Sequence, residues 1–196
     1  MTPEAEAFAR CIGEGGVAVF PADTVYGLAC DPENDEAVAR LYALKGRTPD
    51  KPSATMWFDR DAALAALTHL GPRTRAACEA LLPGGVTLLL PRPHGEPGAL
   101  GVRVPAVPLL AGAPCAVLQS SANCAGGPDA RTLDEVPPEI RAGADLLLDG
   151  GPLPGTPSTV LDLTGYEREG TWAIVREGAV PAREVAEALG TLSGPP

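Results

Sequence analysis

Lysine is almost missing from this chain. It occurs twice, at Lys45 and Lys51, against thirteen arginines. Aromatic residues make up only 4%, too few for the stacking platforms that hold single-stranded nucleic acid. No run approaches the roughly 20 apolar residues needed to cross a bilayer. Residues 1–8 carry acids where a signal peptide would have its apolar stretch, so the expected location is the cytoplasm, with no membrane partner. The five cysteines (Cys11, Cys30, Cys78, Cys115 and Cys124) contain no CxxC pair. That pattern excludes a disulfide framework and a zinc site, and reads as reduced thiols with no metal ligation. There is no GxxxxGK[ST] phosphate loop and no HExxH. Gly13–Ala18 does match GxGxxA, but it precedes a strand instead of following one, so no helix dipole would face a pyrophosphate there.

What is present is acidic and well supplied with apolar residues. The formal net charge is −10 and 45% of the 196 residues are hydrophobic. A protein that held a nucleic-acid backbone tightly would normally be basic, so any polyanion it binds must be small or met by a local basic pocket. The length suits one domain, expected over residues 1–190, with 191–196 as a disordered tail. Apolar runs predict strands at 16–20, 54–58, 86–90, 100–104, 115–118, 146–148, 159–163 and 172–175. Periodic segments predict helices at 3–13, 35–45, 61–70, 72–82, 133–141 and 181–189. Strands and helices alternate irregularly. The expectation is an α/β chain of the α+β type, a three-layer single domain around a twisted sheet of mixed parallel and antiparallel strands.

Four polar segments can carry chemistry. Pro21–Leu28 follows a strand, and Thr24 and Tyr26 offer hydroxyls there; a capped turn opening a helix would use the same residues. Residues 45–52 place Lys45, Arg47 and Lys51 on a short loop bounded by proline. Lysine supplies point charge and arginine a two-pronged fork, a combination suited to a triphosphate. In an acidic protein this is a focused anion site. Gln119–Asn123 follows an apolar strand, and Ser120, Ser121 and Asn123 could bind ribose, phosphate or a carboxylate, or simply form a turn. Pro157–Asp162 enters a strand and pairs in the pattern with Arg176. Arg103 lies within a strand, where burial demands a partner, and a ligand carboxylate could be that partner. His69 and His94 have no nucleophile beside them and read as surface residues.

Taken together, the stretches PADTVYGL (21–28), KGRTPDKP (45–52), LLPGGVTLLL (81–90), LGVRVP (100–105), SSAN (120–123), STVLDLTG (158–165) and IVREGAV (174–180) resemble the YrdC-like family, the L-threonylcarbamoyladenylate synthases. They occur in the family's order and span nearly the whole chain. The resemblance implies a YrdC/RibB-like fold with a mixed sheet around a positively lined cavity. It also implies condensation of L-threonine, bicarbonate and ATP, the last with Mg2+, to threonylcarbamoyl-AMP and pyrophosphate. The product would pass to a tRNA threonylcarbamoyl-transfer complex that modifies adenosine 37, with at most weak direct RNA binding by this chain. By position, Lys45 and Arg47 would be catalytic. Arg47, Lys51, Asn123, Arg131 and Arg176 would hold ATP. Thr24, Arg103, Ser121, Ser158 and Thr159 would hold threonine.

The chain departs from the family's pattern at Ala22, Met56, Ala99 and Pro157, where Thr, His, Thr and Glu are common; losing those polar groups bears on amino-acid specificity. Residues 166–170 are an insertion expected to lengthen a turn. Two other readings follow from the same resemblance: a paralogue making a different carbamoyl adenylate, as in hydrogenase maturation proteins, and a non-catalytic RNA-binding module. The net charge of −10 opposes the second.

Overall fold

The computed structural model describes residues 1–46 and 53–192. Among the described residues nine strands form one sheet: β1 (Ala18–Pro21), β2 (Tyr26–Cys30), β3 (Ala54–Met56), β4 (Val86–Pro91), β5 (Ala99–Arg103), β6 (Val117–Ser121), β7 (Leu146–Leu147), β8 (Thr159–Asp162) and β9 (Ala173–Arg176). Their order is β7-β1-β2-β6-β3-β5-β4-β8-β9. The pairs β1/β7, β3/β5 and β4/β8 are parallel, and the other neighbours antiparallel. The sheet is mixed, as the irregular alternation implied.

Three helices start where the sequence supplies a capping side chain. In α1 (Pro3–Gly13) the Thr2 hydroxyl accepts the Ala5 N–H at 3.0 Å. Asn34 does the same for Ala37 at 3.0 Å in α2 (Asp35–Leu44), which Gly46 ends with a φ of 59°. Asp59 caps α3 (Arg60–Ala66) through Ala62 at 2.7 Å. Each cap gives an otherwise orphaned donor an acceptor. Further along lie α4 (Pro72–Leu81), α5 (Pro138–Gly143), α6 (Tyr166–Glu169) and α7 (Ala182–Gly190).

Strand alternation divides the core between the two faces of the sheet. On one face Val102, Leu88 and Leu161 pack with residues of α3, α4 and α7, and Leu28, Tyr26 and Val19 pack with α2 and α5. On the other, Phe8 of α1 meets Phe20 and Phe58 edge to face, at centroid distances of 5.3 and 5.1 Å. Helical layers therefore cover both faces. Among the described residues no helix is long and apolar enough to cross a membrane.

Four expectations need correction. Tyr26–Cys30 is a strand, forming a hairpin with β1, and no helix opens at Thr24. All five of its residues are buried, so the polar–apolar alternation that marks a half-exposed strand is missing. The strand expected at 115–118 runs instead over Val117–Ser121, which brings Ser120 and Ser121 into the sheet opposite Leu28 and Gly27. The helix expected at 133–141 breaks at Pro137-Pro138 into a 3-10 turn and α5, because proline cannot continue the hydrogen-bond ladder. Residues 166–170 do more than lengthen a turn. They form α6, bury Tyr166, and place Glu167 Oε2 2.8 Å from the Thr74 N–H, capping α4, whose own N-cap is the side-chain-less Gly71. After α7, Thr191 and Leu192 form its C-terminal cap and turn, their N–H groups donating to the Glu187 and Leu189 carbonyls.

Candidate active site

The centre of the face that carries α1 is left open. A cavity of about 350 Å³ lies there, with Ala54, Leu89, Ala99 and Gly101 among its lining. A Cβ on Gly101 would come within 3.2 Å of the Ala54 Cα, so this part of the floor stays flat only with glycine. The polar lining is supplied by Thr87, Arg103, Gln119, Ser120, Ser121, Asp129, Ser158 and Arg176.

Two arginines define one side. Arg103, only 3% exposed, ends β5 with its guanidinium paired to Asp23, and its Nη2 donates to the Thr24 hydroxyl at 2.9 Å. The partner expected from a ligand is thus provided first by the protein's own β1–β2 turn. Burial pulls the pKa of Arg103 down; Asp23 opposes that shift and the nearby Arg176 adds to it. Arg176, from β9, donates through Nη2 to the Ser158 carbonyl at 2.7 Å and to its hydroxyl at 3.3 Å. The Ser158 and Thr87 hydroxyls lie 2.8 Å apart. Arginine forks and hydroxyl donors converging on one hollow are chemistry for carboxylate and phosphate oxygens.

The opposite wall is the end of β6, stiffened from behind by Lys45. This residue is not part of a solvated loop: it is the C-terminal cap of α2 and 2% exposed. Its ammonium donates to the carbonyl of Asn123 at 2.8 Å, to that residue's Oδ1 at 3.0 Å, and to the Ser121 carbonyl. Asn123 Oδ1 also accepts the Ser121 hydroxyl at 2.7 Å, while its Nδ2 donates to the Gly127 carbonyl at 2.7 Å. Both groups are engaged in shaping the Ser121–Asn123 turn.

The structure thus gathers Arg103, Ser121, Ser158 and Arg176 in the cavity wall, with Thr24 directly behind Arg103. Thr159 departs from expectation. It sits on the far side of β8, fully buried, its hydroxyl donating to the Val180 carbonyl at 2.6 Å. Alternation along the strand forces this once Ser158 faces the cavity. Lys45, Asn123 and Arg131 are not among the described residues that line the hollow; the Arg131 Nε instead reaches the Leu153 carbonyl at 3.4 Å. Arg47 and Lys51 lie outside the described residues.

Of the four departures, Ala99 and Pro157 line the cavity, whereas Met56 is fully buried in the apolar cluster around Phe8 and Ala22 belongs to the same cluster. Sequence reasoning missed Thr87, Gln119, Asp129 and Asp23. Thr87 had a signal, as the one polar residue in an apolar strand, and Asp23 stands next to Thr24.

The sequence model of the Sua5/YciO/YrdC family, described as "Telomere recombination", matches residues 10–178. The chain belongs to this family. Its relatives include the threonylcarbamoyl-AMP synthase of Xanthomonas campestris pv. campestris strain B100, 33% identical over 171 residues, which are 76% of this chain and 87% of that protein. The same-named protein of Nitrosococcus oceani is 36% identical over 156 residues, 72% of this chain and 83% of its own. Among solved family structures, P. abyssi Sua5 complexed with L-threonine superposes with a TM-score of 0.83 at 25% identity, covering 97% of this chain and 59% of that one. This chain therefore spans a little over half of the archaeal protein. E. coli YciO, at 24% identity and a TM-score of 0.76, shares the fold over 93% of this chain and 92% of its own.

Proposed function

We propose that this chain is a threonylcarbamoyl-AMP synthase, joining L-threonine, bicarbonate and ATP into threonylcarbamoyl-AMP and pyrophosphate. The observation that carries the reading is the placement of Arg103 and Arg176 in one cavity with Ser158, Thr87 and Ser121. Its support outside this chain is the name shared by the bacterial relatives and the L-threonine in the P. abyssi Sua5 structure.

The chemistry asks for little beyond positioning. The threonine amine and bicarbonate combine to a carbamate with loss of water. A carbamate oxygen then forms a bond to the α-phosphorus of ATP while the bond to the bridging oxygen breaks, and pyrophosphate leaves. Nucleophile and target are both anions, so the protein must cancel their repulsion and hold them in line. Arg103, with Thr24 and Ser158, is assigned to the threonine carboxylate. Arg176 bridges toward the nucleotide, and Arg47 and Lys51 hold the phosphates, with Lys45 and Asn123 shaping that wall. Mg2+ accompanies the triphosphate as its counter-ion. No side-chain nucleophile is required. The product is passed to a tRNA threonylcarbamoyl-transfer complex in the cytoplasm.

The test is pyrophosphate release by the purified protein with ATP, bicarbonate and each amino acid in turn. Release that needs threonine and bicarbonate together is the expected result. Release indifferent to either one sinks the assignment.

A further inference from the structure

Asp23 has no part in the assignments above, yet it is the carboxylate paired with Arg103 at the cavity wall. It forms a buried ion pair with Arg103, the two side chains being 9% and 4% exposed. One oxygen takes the Arg103 Nη2, and the other accepts the Ala106 N–H at 3.2 Å. The second Nη2 hydrogen goes to Thr24 Oγ1. Both hydrogens of that nitrogen are therefore committed, and the guanidinium plane is pinned between the β1–β2 turn and the segment leaving β5. The Arg103 Nε, by contrast, is buried without any partner. Arg103 itself lines the cavity, so the guanidinium that Asp23 and Thr24 pin is the one a ligand there would meet.

We infer that Asp23 is a positioning residue, which holds the Arg103 guanidinium in the orientation that receives the carboxylate of the amino-acid substrate. Asp23 itself touches no reactant, since its two oxygens are taken by Arg103 and Ala106. Its effect is transmitted only through Arg103, and it acts on amino-acid capture far more than on ATP. The inference rests on the proposed function above.

The test is a mutant cycle of Asp23→Asn, Arg103→Lys and the double variant, read by pyrophosphate release at varied threonine and varied ATP. Asp23→Asn keeps the size of the side chain and one acceptor oxygen, so it remains informative even where Asp23→Ala fails to fold. The expected result is a KM for threonine raised about tenfold or more, with the KM for ATP and kcat changed less than about threefold. In the Arg103→Lys background the same substitution should add nothing, because the fork it orients is gone. An unchanged KM for threonine, or an effect that multiplies fully in that background, overturns the inference. Loss of threonine-dependent release in the unaltered protein is a different failure, that of the proposed function itself.

Discussion

The Lys45 ammonium donates to the Asn123 side-chain carbonyl at 3.0 Å, and through this bond the end of α2 holds the turn that closes β6. One of only two lysines in the chain is thus spent inside the protein, against backbone carbonyls.

Replacing Lys45 by Met keeps the stem and deletes those donors. The carbonyls of Ser121 and Asn123 would then lose a charged partner in a buried setting. The expected loss is about 2–4 kcal/mol of stability, with activity falling alongside. Urea unfolding and pyrophosphate release on the same preparation check it; a Met variant of native stability would show that the network carries no weight.

Arg47 and Lys51 should behave differently. If each faces the phosphates, Arg47→Ala or Lys51→Ala removes about 2–4 kcal/mol of transition-state stabilisation while leaving the melting temperature unchanged. kcat/KM with ATP as the varied substrate measures it, and near-native values in both variants would reduce the loop to surface charge.

Gly178 lies against the backbone beneath the cavity. A Cβ there would be 2.2 Å from the Pro157 carbonyl oxygen and 2.7 Å from that of Ser158, the acceptor for Arg176. Backbone cannot yield as a flexible side chain does. Gly178→Ala should displace Ser158 and lower kcat/KM about tenfold or more, which steady-state kinetics together with circular dichroism would establish.

Acid should loosen the junction between β1 and the segment before β7. Asp145 accepts the Val17 N–H at 2.7 Å and pairs with Arg40 at 2.9 Å. The Val17 N–H is the main cause that holds its carboxyl below the usual 3.8; partial burial opposes and Arg40 assists. Because the folded value is depressed, the contribution is whole above the unfolded value and disappears as pH falls through the folded one. The side chain is 46% exposed, so screening keeps the effect to about 0.5–1 kcal/mol. Asp145→Asn should be less stable than the parent near neutral pH and equal to it near pH 2, as urea midpoints at the two conditions would report.

Much of this was legible in the chain itself. Periodic apolar segments place helices at 3–13, 35–45 and 61–70, and α1, α2 and α3 fall on those stretches. The irregular succession of strands and helices already indicated a mixed sheet. Seven short stretches in order were enough to name the family. Two of the errors came from tertiary context. Tyr26–Cys30 has no alternating pattern because both of its faces are covered, and Glu167 looked like insertion until α4 was seen to lack a cap of its own.

The pairing of charges could not be read at all. Lys45 and Asn123 are 78 residues apart and Arg103 and Asp23 are 80 apart, and no local rule links them. Composition and motif determined that this acidic protein keeps a few cations for anions. The folded sheet decided which cations face the cavity and which are consumed behind it. The physical reason is the strand's twofold period, which turns Ser158 toward the cavity and Thr159 into the core.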